Sequence, residues 1–391
     1  MKPTGFPCKA SYGAKAPARY GKFYKDFAAI LLCLIILSSS AAFSHTPESE
    51  SVPDVPRGTV GSKDPIFFDA ASPGIDLVFN DRYREALRLF EELQQKYPTQ
   101  PAPHFFKAAT YQGWMSDSRL NRFQEEFEKN TQLTIQKGHE LLKQKNSPWI
   151  FFYVGAAYGY QAFNEFSKNK WVEAYYEAKK GVKNFEEALE RDPRLFDVYL
   201  GLGSWHYWRT AKSMFLRLLT FWIPDQRELG LRQIEFAFQH GSYTPDQAGY
   251  NLIAAYFDYG RYEKAMQILN RILEKKRTAG ISDLYYKGRL LIKFERWPEV
   301  ETVFRKILER LENQEMASAG YKAECMYWIA QALTEQKKRS EALKFAEMAR
   351  AQSEKRNPDS ELQGPFENFR EIESRLKRLY KSLKWEGIED F

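Results

Sequence analysis

Apolar side chains recur at spacings of three and four residues along most of the chain from about Asp76 onward, with Glu, Lys and Arg between them. This spacing places the apolar side chains on one face of an α-helix, whereas a half-buried strand alternates at every second residue. Runs of alternating β-branched residues are few. The pattern therefore predicts an all-α fold.

The helical pattern is itself repeated. The clearest unit starts at Asp246 and has small residues on a first helix, a glycine at the turn and an apolar face on a second helix: Ala254, Ala255, Gly260, Tyr262, Ala265, Leu269 and Ile272. Equivalent positions recur downstream at Gly288, Leu291, Trp297, Val300, Phe304 and Ile307, then at Ala330, Leu333, Ala342, Ala346 and Ala349, and upstream at Tyr83, Ala86, Phe90, Leu93 and Pro98. Such repetition indicates stacked helix pairs, since one pair cannot bury its apolar face alone.

These positions resemble the tetratricopeptide repeat (TPR), a helix-turn-helix unit of about 34 residues. The resemblance implies a TPR-like α-solenoid of antiparallel helix pairs over residues 76–391, in a protein of the exported bacterial type. Two units, at 103–146 and 148–193, are longer than the standard repeat. A helix at about 365–384, with Ile372, Leu376, Leu379 and Leu383 on one stripe, is predicted to cap the array.

One stretch departs from the repeat, GLGSWHYWRTAKSMFLRLLTFWIPDQRELGL at residues 201–231. Gly201 and Gly230 fit the small positions of a first and a second helix, yet they lie 29 residues apart, against 12 for the equivalent Gly288 and Val300. The excess predicts an inserted amphipathic helix at about 205–223, with basic residues opposite an apolar face that includes Trp208, Phe215, Leu219 and Trp222. Trp205, at the start of this helix, is a further candidate for contact with a membrane or a partner.

Three interpretations of this inserted helix remain open. Its apolar face can pack across neighbouring repeats, contact a membrane or a partner, or line a ligand pocket. Residues 201–231 are similar to the corresponding region of a eukaryotic TPR family linked to mitochondrial outer membranes and to lipid-droplet or inclusion clearance. His206, between Trp205 and Tyr207, is expected on the solvent-facing basic side.

The first 44 residues predict a signal peptide or an uncleaved membrane anchor. Basic residues up to Lys25 precede the apolar run Phe27 to Leu37, and the small residues Ala42 and Ser44 follow. Residues 45–75, rich in Pro, Ser, Gly and charge, predict a disordered linker. The protein is therefore expected to be exported, either periplasmic or membrane-anchored and facing the periplasm.

Charge does not favour nucleic-acid binding once this leader is set aside. The whole chain carries 58 Lys and Arg against 51 Asp and Glu, a net charge of +7. The leader holds six of the basic residues and one of the acidic ones, so the remainder holds 58 − 6 = 52 against 51 − 1 = 50, or about +2. No nucleic-acid partner is predicted.

The inventory of reactive residues gives no catalytic constellation. The five histidines are scattered, and the chain has no glycine-rich phosphate loop, no GxSxG elbow and no CxxC pair. No enzyme activity, cofactor or metal is therefore predicted. An enzyme acting on cell-envelope polymers stays open as an alternative if acidic pairs converge in a deep pocket.

The sequence thus favours a non-enzymatic protein–protein interaction scaffold of the cell envelope. Its unidentified protein or peptide partner is expected in the concave face, along a groove lined by Tyr250, Asn251, Tyr285, Lys287 and Tyr327. The alternative is a membrane-peripheral protein that docks on a membrane surface through the Trp/Leu-rich helix 205–222.

Overall fold

The computed structural model of the protein describes residues 51–168, 170–211, 224–314 and 317–385. Within these ranges the chain forms fifteen α-helices and seven successive antiparallel pairs, which confirms the all-α TPR-like fold. The first eight helices are α1 (Phe68–Phe79), α2 (Tyr83–Lys96), α3 (Ala102–Ser118), α4 (Gln124–Leu142), α5 (Pro148–Ser167), α6 (Trp171–Arg191), α7 (Val198–Ala211) and α8 (Arg227–His240). The others are α9 (Pro245–Asp258), α10 (Tyr262–Lys275), α11 (Ile281–Lys293), α12 (Trp297–Glu312), α13 (Ala319–Glu335), α14 (Arg339–Ser353) and α15 (Phe369–Trp385).

The same turn joins the two helices of four pairs. Its central residue has a left-handed φ, between 55° and 75°, at Asp81, Gly260, Glu295 and Lys337. The next residue in each turn returns a backbone N–H to a carbonyl in the last turn of the first helix, as Arg261 N does to Tyr256 O at 2.8 Å. This left-handed C-terminal cap turns the chain within three residues, and only at Gly260 does a glycine relieve the steric cost.

The repeat positions lie where the sequence pattern predicts them. Four of the second helices bury the residues three, seven and ten positions after their first one: Ala86, Phe90 and Leu93 in α2, Ala265, Leu269 and Ile272 in α10, Val300, Phe304 and Ile307 in α12, and Ala342, Ala346 and Ala349 in α14. The terminal stripe Ile372, Leu376, Leu379 and Leu383 is also buried, on α15. Packing of these small and large side chains between neighbouring pairs forms the continuous core of the array.

The backbones of α7 and α8 approach each other closely at two glycines, Gly203 and Gly230. A Cβ added to Gly203 would lie 2.7 Å from Gly230 O, and one added to Gly230 would lie 2.6 Å from Gly203 O and from Tyr207 N. Gly230 is therefore a close-contact position as predicted, and its backbone partner is Gly203. Gly201 is a contact position too, but it faces the ring of Phe185.

The inserted helix is only partly within the described residues. Trp205 and Trp208 belong to α7, the first helix of its pair, and lie half-buried against the core. Phe215, Leu219 and Trp222 lie outside the described residues, as does the predicted signal peptide or anchor at 1–44. In the ranges that the structure covers, no helix has the length and apolar character to cross a membrane.

The prediction of a disordered linker is wrong for the part of it that the structure describes. Gly61 N donates to His240 O at 2.7 Å, and Ser62 N donates to Arg194 O at 2.8 Å. Asp64 is buried and accepts a hydrogen bond of 2.7 Å from the Tyr153 hydroxyl. The array also begins earlier than predicted, at Phe68, because Pro73 is accommodated inside α1.

Candidate functional site

The predicted concave groove is largely closed. Tyr285 and Tyr327 are only 3% and 4% exposed, so neither can offer a broad face to a peptide. Tyr250, Asn251 and Lys287 are half-buried. Asn251 Nδ2 bonds back to its own helix, at Gln247 O. The five side chains therefore do not form one accessible surface, and this arrangement gives no support to a peptide groove along all five.

Other parts of the same chain cover these first helices. Phe79, at the end of α1, stacks on Tyr250 with ring centroids 6.1 Å apart. The segment that connects α14 to α15 folds back and places Phe366 against Phe257, Tyr285 and Tyr286 at centroid distances of 4.0 to 6.0 Å. The connection after α3 meets the same segment, where Leu362 N donates to Arg119 O at 2.9 Å. The N-terminal repeats thereby contact the C-terminal ones.

Three carboxyl groups converge where the α1–α2 turn and α3 meet the start of α11. Asp117 accepts hydrogen bonds from the hydroxyls of Tyr83, at 2.5 Å, and Ser282. Asp283 accepts from Tyr250 Oη at 2.6 Å and from Lys276 Nζ at 2.8 Å. Asp81, in the left-handed turn, accepts from the backbone N–H of Ile281. We call Asp81, Asp117 and Asp283, with Lys276, the carboxylate cluster; it joins segments about 200 residues apart in sequence.

The electrostatics of the carboxylate cluster favour a bound proton. Burial and the neighbouring charge of Asp117 raise the pKa of Asp81 to about 7. Burial likewise raises the pKa of Asp117, against the effect of its hydrogen bonds to Ser282, Tyr83 and Asp81. A hydrogen bond between two carboxyl groups requires a proton on one of them, because two carboxylates offer only acceptors.

We expect the free energy of unfolding to fall as the pH rises from 6 to 8. The folded-state pKa of Asp81 lies above its ordinary value of 3.8, so the folded protein binds this proton more tightly than the unfolded chain does. This stabilisation is complete below the ordinary pKa of 3.8, decreases as the pH rises through the interval up to about 7, and is lost above that pH. In Asp81→Asn the amide can keep the hydrogen bonds with the backbone N–H of Ile281 and with Asp117, but it cannot ionise. The free energy of unfolding of this variant should therefore change less between pH 6 and pH 8.

Urea unfolding at pH 6 and pH 8 measures this effect. Asp69→Asn, an exposed carboxylate on α1, is the matched control and should keep the pH dependence of the parent chain. If the free energy of unfolding changes equally between pH 6 and pH 8 in the parent chain and in Asp81→Asn, the carboxylate cluster does not share a proton.

A second buried cluster, the ion cluster, consists of Arg119, Arg289, Glu324 and Glu367. Arg119 Nη1 lies 2.5 Å from Glu324 Oε2, and both side chains are at most 5% exposed. Arg289 lies between Glu324, at 3.5 Å, and Glu367, at 3.1 Å. Although burial opposes ionisation of Glu324, the charges of Arg119 and Arg289 hold its pKa below the ordinary value. The Arg119 guanidinium also stacks 3.6 Å from the Tyr321 ring centroid.

The ion cluster opens onto no chamber that could hold a substrate. The cavity beside the ion cluster, lined by Arg119, Glu324, Arg356 and Glu361 among others, has a volume of about 10 Å³. That is room for about one water molecule. In the described part of the chain, no three His, Cys, Asp or Glu side chains are arranged to hold a metal ion. The acidic pairs therefore act as links between repeats, which gives the envelope-polymer enzyme alternative no support.

An open groove lies instead between α13 and α15, at the end of the array. Its volume is about 340 Å³, and it is lined by Tyr327, Gln331, Arg375, Arg378, Leu379 and Ser382. Tyr327, a residue of the predicted groove, contributes to this wall despite its low exposure. Sequence reasoning missed the two arginines because α15 was read only through its apolar stripe. The available signal was the excess of basic residues on the opposite face of that helix.

His206 is not solvent-facing as predicted. It is 2% exposed, and its Nδ1 lies 2.6 Å from Gln233 Oε1 on α8. The helical projection failed because Trp205 to Ala211 continue α7 into the core, where the repeat sets which side is buried. His206 is therefore a hydrogen-bonded core residue.

Comparison with known proteins adds structural similarities alone. The sequence matches no protein-family model and no curated protein. Among solved structures, the chain aligns over 72% of its length with 45% of a chain in the Cut9–Hcn1 hetero-tetramer of the APC/C, at 11% identity and a TM-score of 0.47. It aligns over 74% of its length with 97% of the C-terminal part of a TPR repeat-containing protein from Cytophaga hutchinsonii, at 18% identity and a TM-score of 0.35.

A third similar structure is yeast Tom70, aligned over 83% of this chain and 74% of that chain at 14% identity and a TM-score of 0.33. The chain thus spans less than half of the Cut9–Hcn1 chain that it matches. At these values the similarities concern the arrangement of helices and say nothing about what the chain binds.

Proposed function

We propose that this TPR-like array is a non-enzymatic protein–protein interaction scaffold of the cell envelope, and that it binds an acidic peptide segment of its partner in the groove between α13 and α15. The observation that carries the proposal is this groove, because its volume of about 340 Å³ lies in the range of specific binding sites. The carboxylate and ion clusters support it by tying the repeats into one rigid frame.

The chemistry of the groove favours an acidic occupant. Tyr327 and Leu379 provide an apolar wall, Gln331 offers an amide to a peptide backbone, and Arg375 and Arg378 line the other side. The helix Phe369–Trp385 carries six basic residues and two acidic ones, 6 − 2 = +4. Part of this charge is already paired, since Arg375 Nη1 lies 2.9 Å from Glu367 Oε1. Arg378 is exposed and donates to Ser374 Oγ on its own helix at 3.0 Å, so it is placed to receive a carboxylate.

Reversal of the charge at Arg378 tests this function. A photo-crosslinking side chain at Gln331 should capture a partner in cells, and the crosslinked peptide should carry Asp or Glu. A synthetic copy of that peptide should bind the protein at least tenfold more weakly after Arg378→Glu. Arg370→Glu, an exposed residue on the same helix outside the groove wall, is the matched control and should leave the affinity unchanged.

Two results would reject the groove as the binding site. The first is crosslinking from Gln331 that does not exceed that from Lys306, an exposed position on α12. The second is a captured peptide without acidic residues whose affinity is the same for both charge reversals.

The envelope location is part of the proposal and rests on the basic and apolar leader at residues 1–44. Fractionation of the producing cells checks it, and recovery of the chain only with cytoplasmic markers would exclude it. Docking on a membrane through helix 205–222 is not proposed as the primary function, because Trp205 and Trp208 are half-buried against the core.

A further inference from the structure

An exposed aromatic surface lies at the turn between α5 and α6. Phe163, Trp171, Val172, Tyr175 and Tyr176 are each 47% to 56% exposed and fall within 14 residues of sequence. In the described part of the chain, the other large apolar side chains of similar exposure lie elsewhere, at Val60, Ile66, Met348 and Trp385. We call the five residues the aromatic edge. Such a concentration of exposed apolar side chains on a folded protein indicates an interaction surface.

The aromatic edge is held by packed neighbours. Trp171 contacts Phe166 edge-to-face with ring centroids 4.7 Å apart, and Tyr175 contacts Trp205 on α7 at 5.4 Å. Ala174 is buried, so the first turns of α6 direct their aromatic side chains outward from a fixed backbone. The surface is therefore preformed and independent of the groove between α13 and α15.

Lysines and glutamates both lie around the aromatic edge, with a small excess of lysines. From Phe163 to Lys183 the chain carries five lysines and three glutamates, 5 − 3 = +2. Lys168 and Lys170 lie in the turn and pair with Glu165, at 3.7 and 3.1 Å. The exposed residues Lys179, Lys180 and Lys183 follow Tyr176 by about one and two helical turns, or roughly 5 to 10 Å along the axis. The aromatic residues in the first turns of α6 are thus followed by positive charge further along the helix, where Lys180 Nζ also pairs with Glu177 at 2.8 Å.

This order of side chains matches the layers of a lipid surface. Trp and Tyr prefer the boundary between headgroups and acyl chains, and Lys lies near lipid phosphates, to which it is attracted when the lipids are anionic. We propose that the aromatic edge docks on an anionic bilayer surface, with its aromatic side chains at the acyl boundary and Lys179, Lys180 and Lys183 among the headgroups. This proposal does not depend on the proposed function, since it uses a different surface and a different ligand.

Hydrogen–deuterium exchange of the full chain tests the docking locally. Vesicles of phosphatidylcholine with a quarter phosphatidylglycerol should slow exchange in peptides covering 163–183 at least threefold, and vesicles of phosphatidylcholine alone should slow it less. Because exchange is measured peptide by peptide, any binding of residues 1–44 to the vesicles does not enter the result. Unchanged exchange at 163–183 would overturn the proposal.

Matched variants assign the effect to side chains. Trp171→Glu with Tyr175→Glu should abolish the protection, and Lys179→Glu with Lys180→Glu and Lys183→Glu, a charge reversal on exposed positions, should reduce it at least fivefold. Trp385→Glu, an equally drastic change at a residue that is 64% exposed on α15, should leave it intact. If protection persists both in the Trp171/Tyr175 double variant and in the variant with three reversed lysines, the proposal is overturned.

Two other occupants would be recognised by their own signatures, and both count against lipid docking. A second copy of the chain would protect 163–183 in a concentration-dependent way without vesicles, and sedimentation would show a dimer that Trp171→Glu dissociates. Cover by the chain's own residues 212–223 would show as protection already present without vesicles and independent of concentration.

Discussion

Arg119→Met is expected to lower the free energy of unfolding by about 3–5 kcal/mol, because it leaves Glu324 buried without its closest counter-charge. Glu324 is 3% exposed, and its oxygens face Arg119 at 2.5 Å and Arg289 at 3.5 Å. Arg289 is shared with Glu367, so it cannot replace the missing guanidinium. The loss should appear as a lower urea midpoint at pH 7 with an unchanged slope.

A double variant and a surface control make this prediction specific. Arg119→Met combined with Glu324→Gln removes both charges and should cost less than the sum of the two single changes. Arg82→Met breaks a pair with Glu85 whose side chains are 56% and 41% exposed, and such an exposed pair contributes little to stability because solvent screens it. Additive single effects, or a cost at Arg119 no larger than at Arg82, would contradict a coupled buried ion cluster.

Gly230→Ala is expected to destabilise the protein by about 2–3 kcal/mol, although alanine is the better helix former. The added Cβ would lie 2.6 Å from both Gly203 O and Tyr207 N. These are backbone atoms of α7, so no side-chain rotation can make room and the two helices must separate. Tyr207, which is fully buried and bonds to Ala255 O at 2.8 Å, would move with them.

Gly159→Ala is the matched control for this change. Gly159 lies inside α5, and a Cβ there would meet nothing within 4 Å. Its replacement should therefore stabilise the protein by about 0.5–1 kcal/mol through helix propensity alone. Thermal unfolding of the two variants should give shifts of opposite sign, and a shift in the same direction would show that α7 and α8 are not in backbone contact.

The spacing of apolar residues within one repeat was sufficient to predict the helix pairs. The residues Tyr262, Ala265, Leu269 and Ile272 identify a second helix because their spacing already specifies which face is apolar, and neighbours along the chain decide that face. The buried stripe on α15 was predicted for this reason too, whereas the arginines on its other face gained meaning only once α13 was placed beside it.

Tyr250 and Tyr285 do not face an open groove, because contacts distant in sequence cover them. Aromatic side chains on the first helix of a repeat look the same in sequence whether they meet a partner or another part of the chain. Here Phe79 and Phe366, which come from the two ends of the array, occupy the space in front of Tyr250 and Tyr285. Glu324 and Arg289 gave a weak hint, as charged residues within apolar helical segments.

By itself the sequence determined the helices, their pairing into repeats, the glycine positions of close approach and the terminal apolar stripe, because all of these depend on residues within about one repeat of each other. Only the tertiary structure decided that the concave face is filled, that Asp81 and Asp117 meet the start of α11, and that Arg119 pairs with Glu324 across 205 residues of chain. The physical reason is distance along the chain. These contacts join residues that lie several repeats apart, and the pattern of residues within one repeat does not specify how distant repeats are placed.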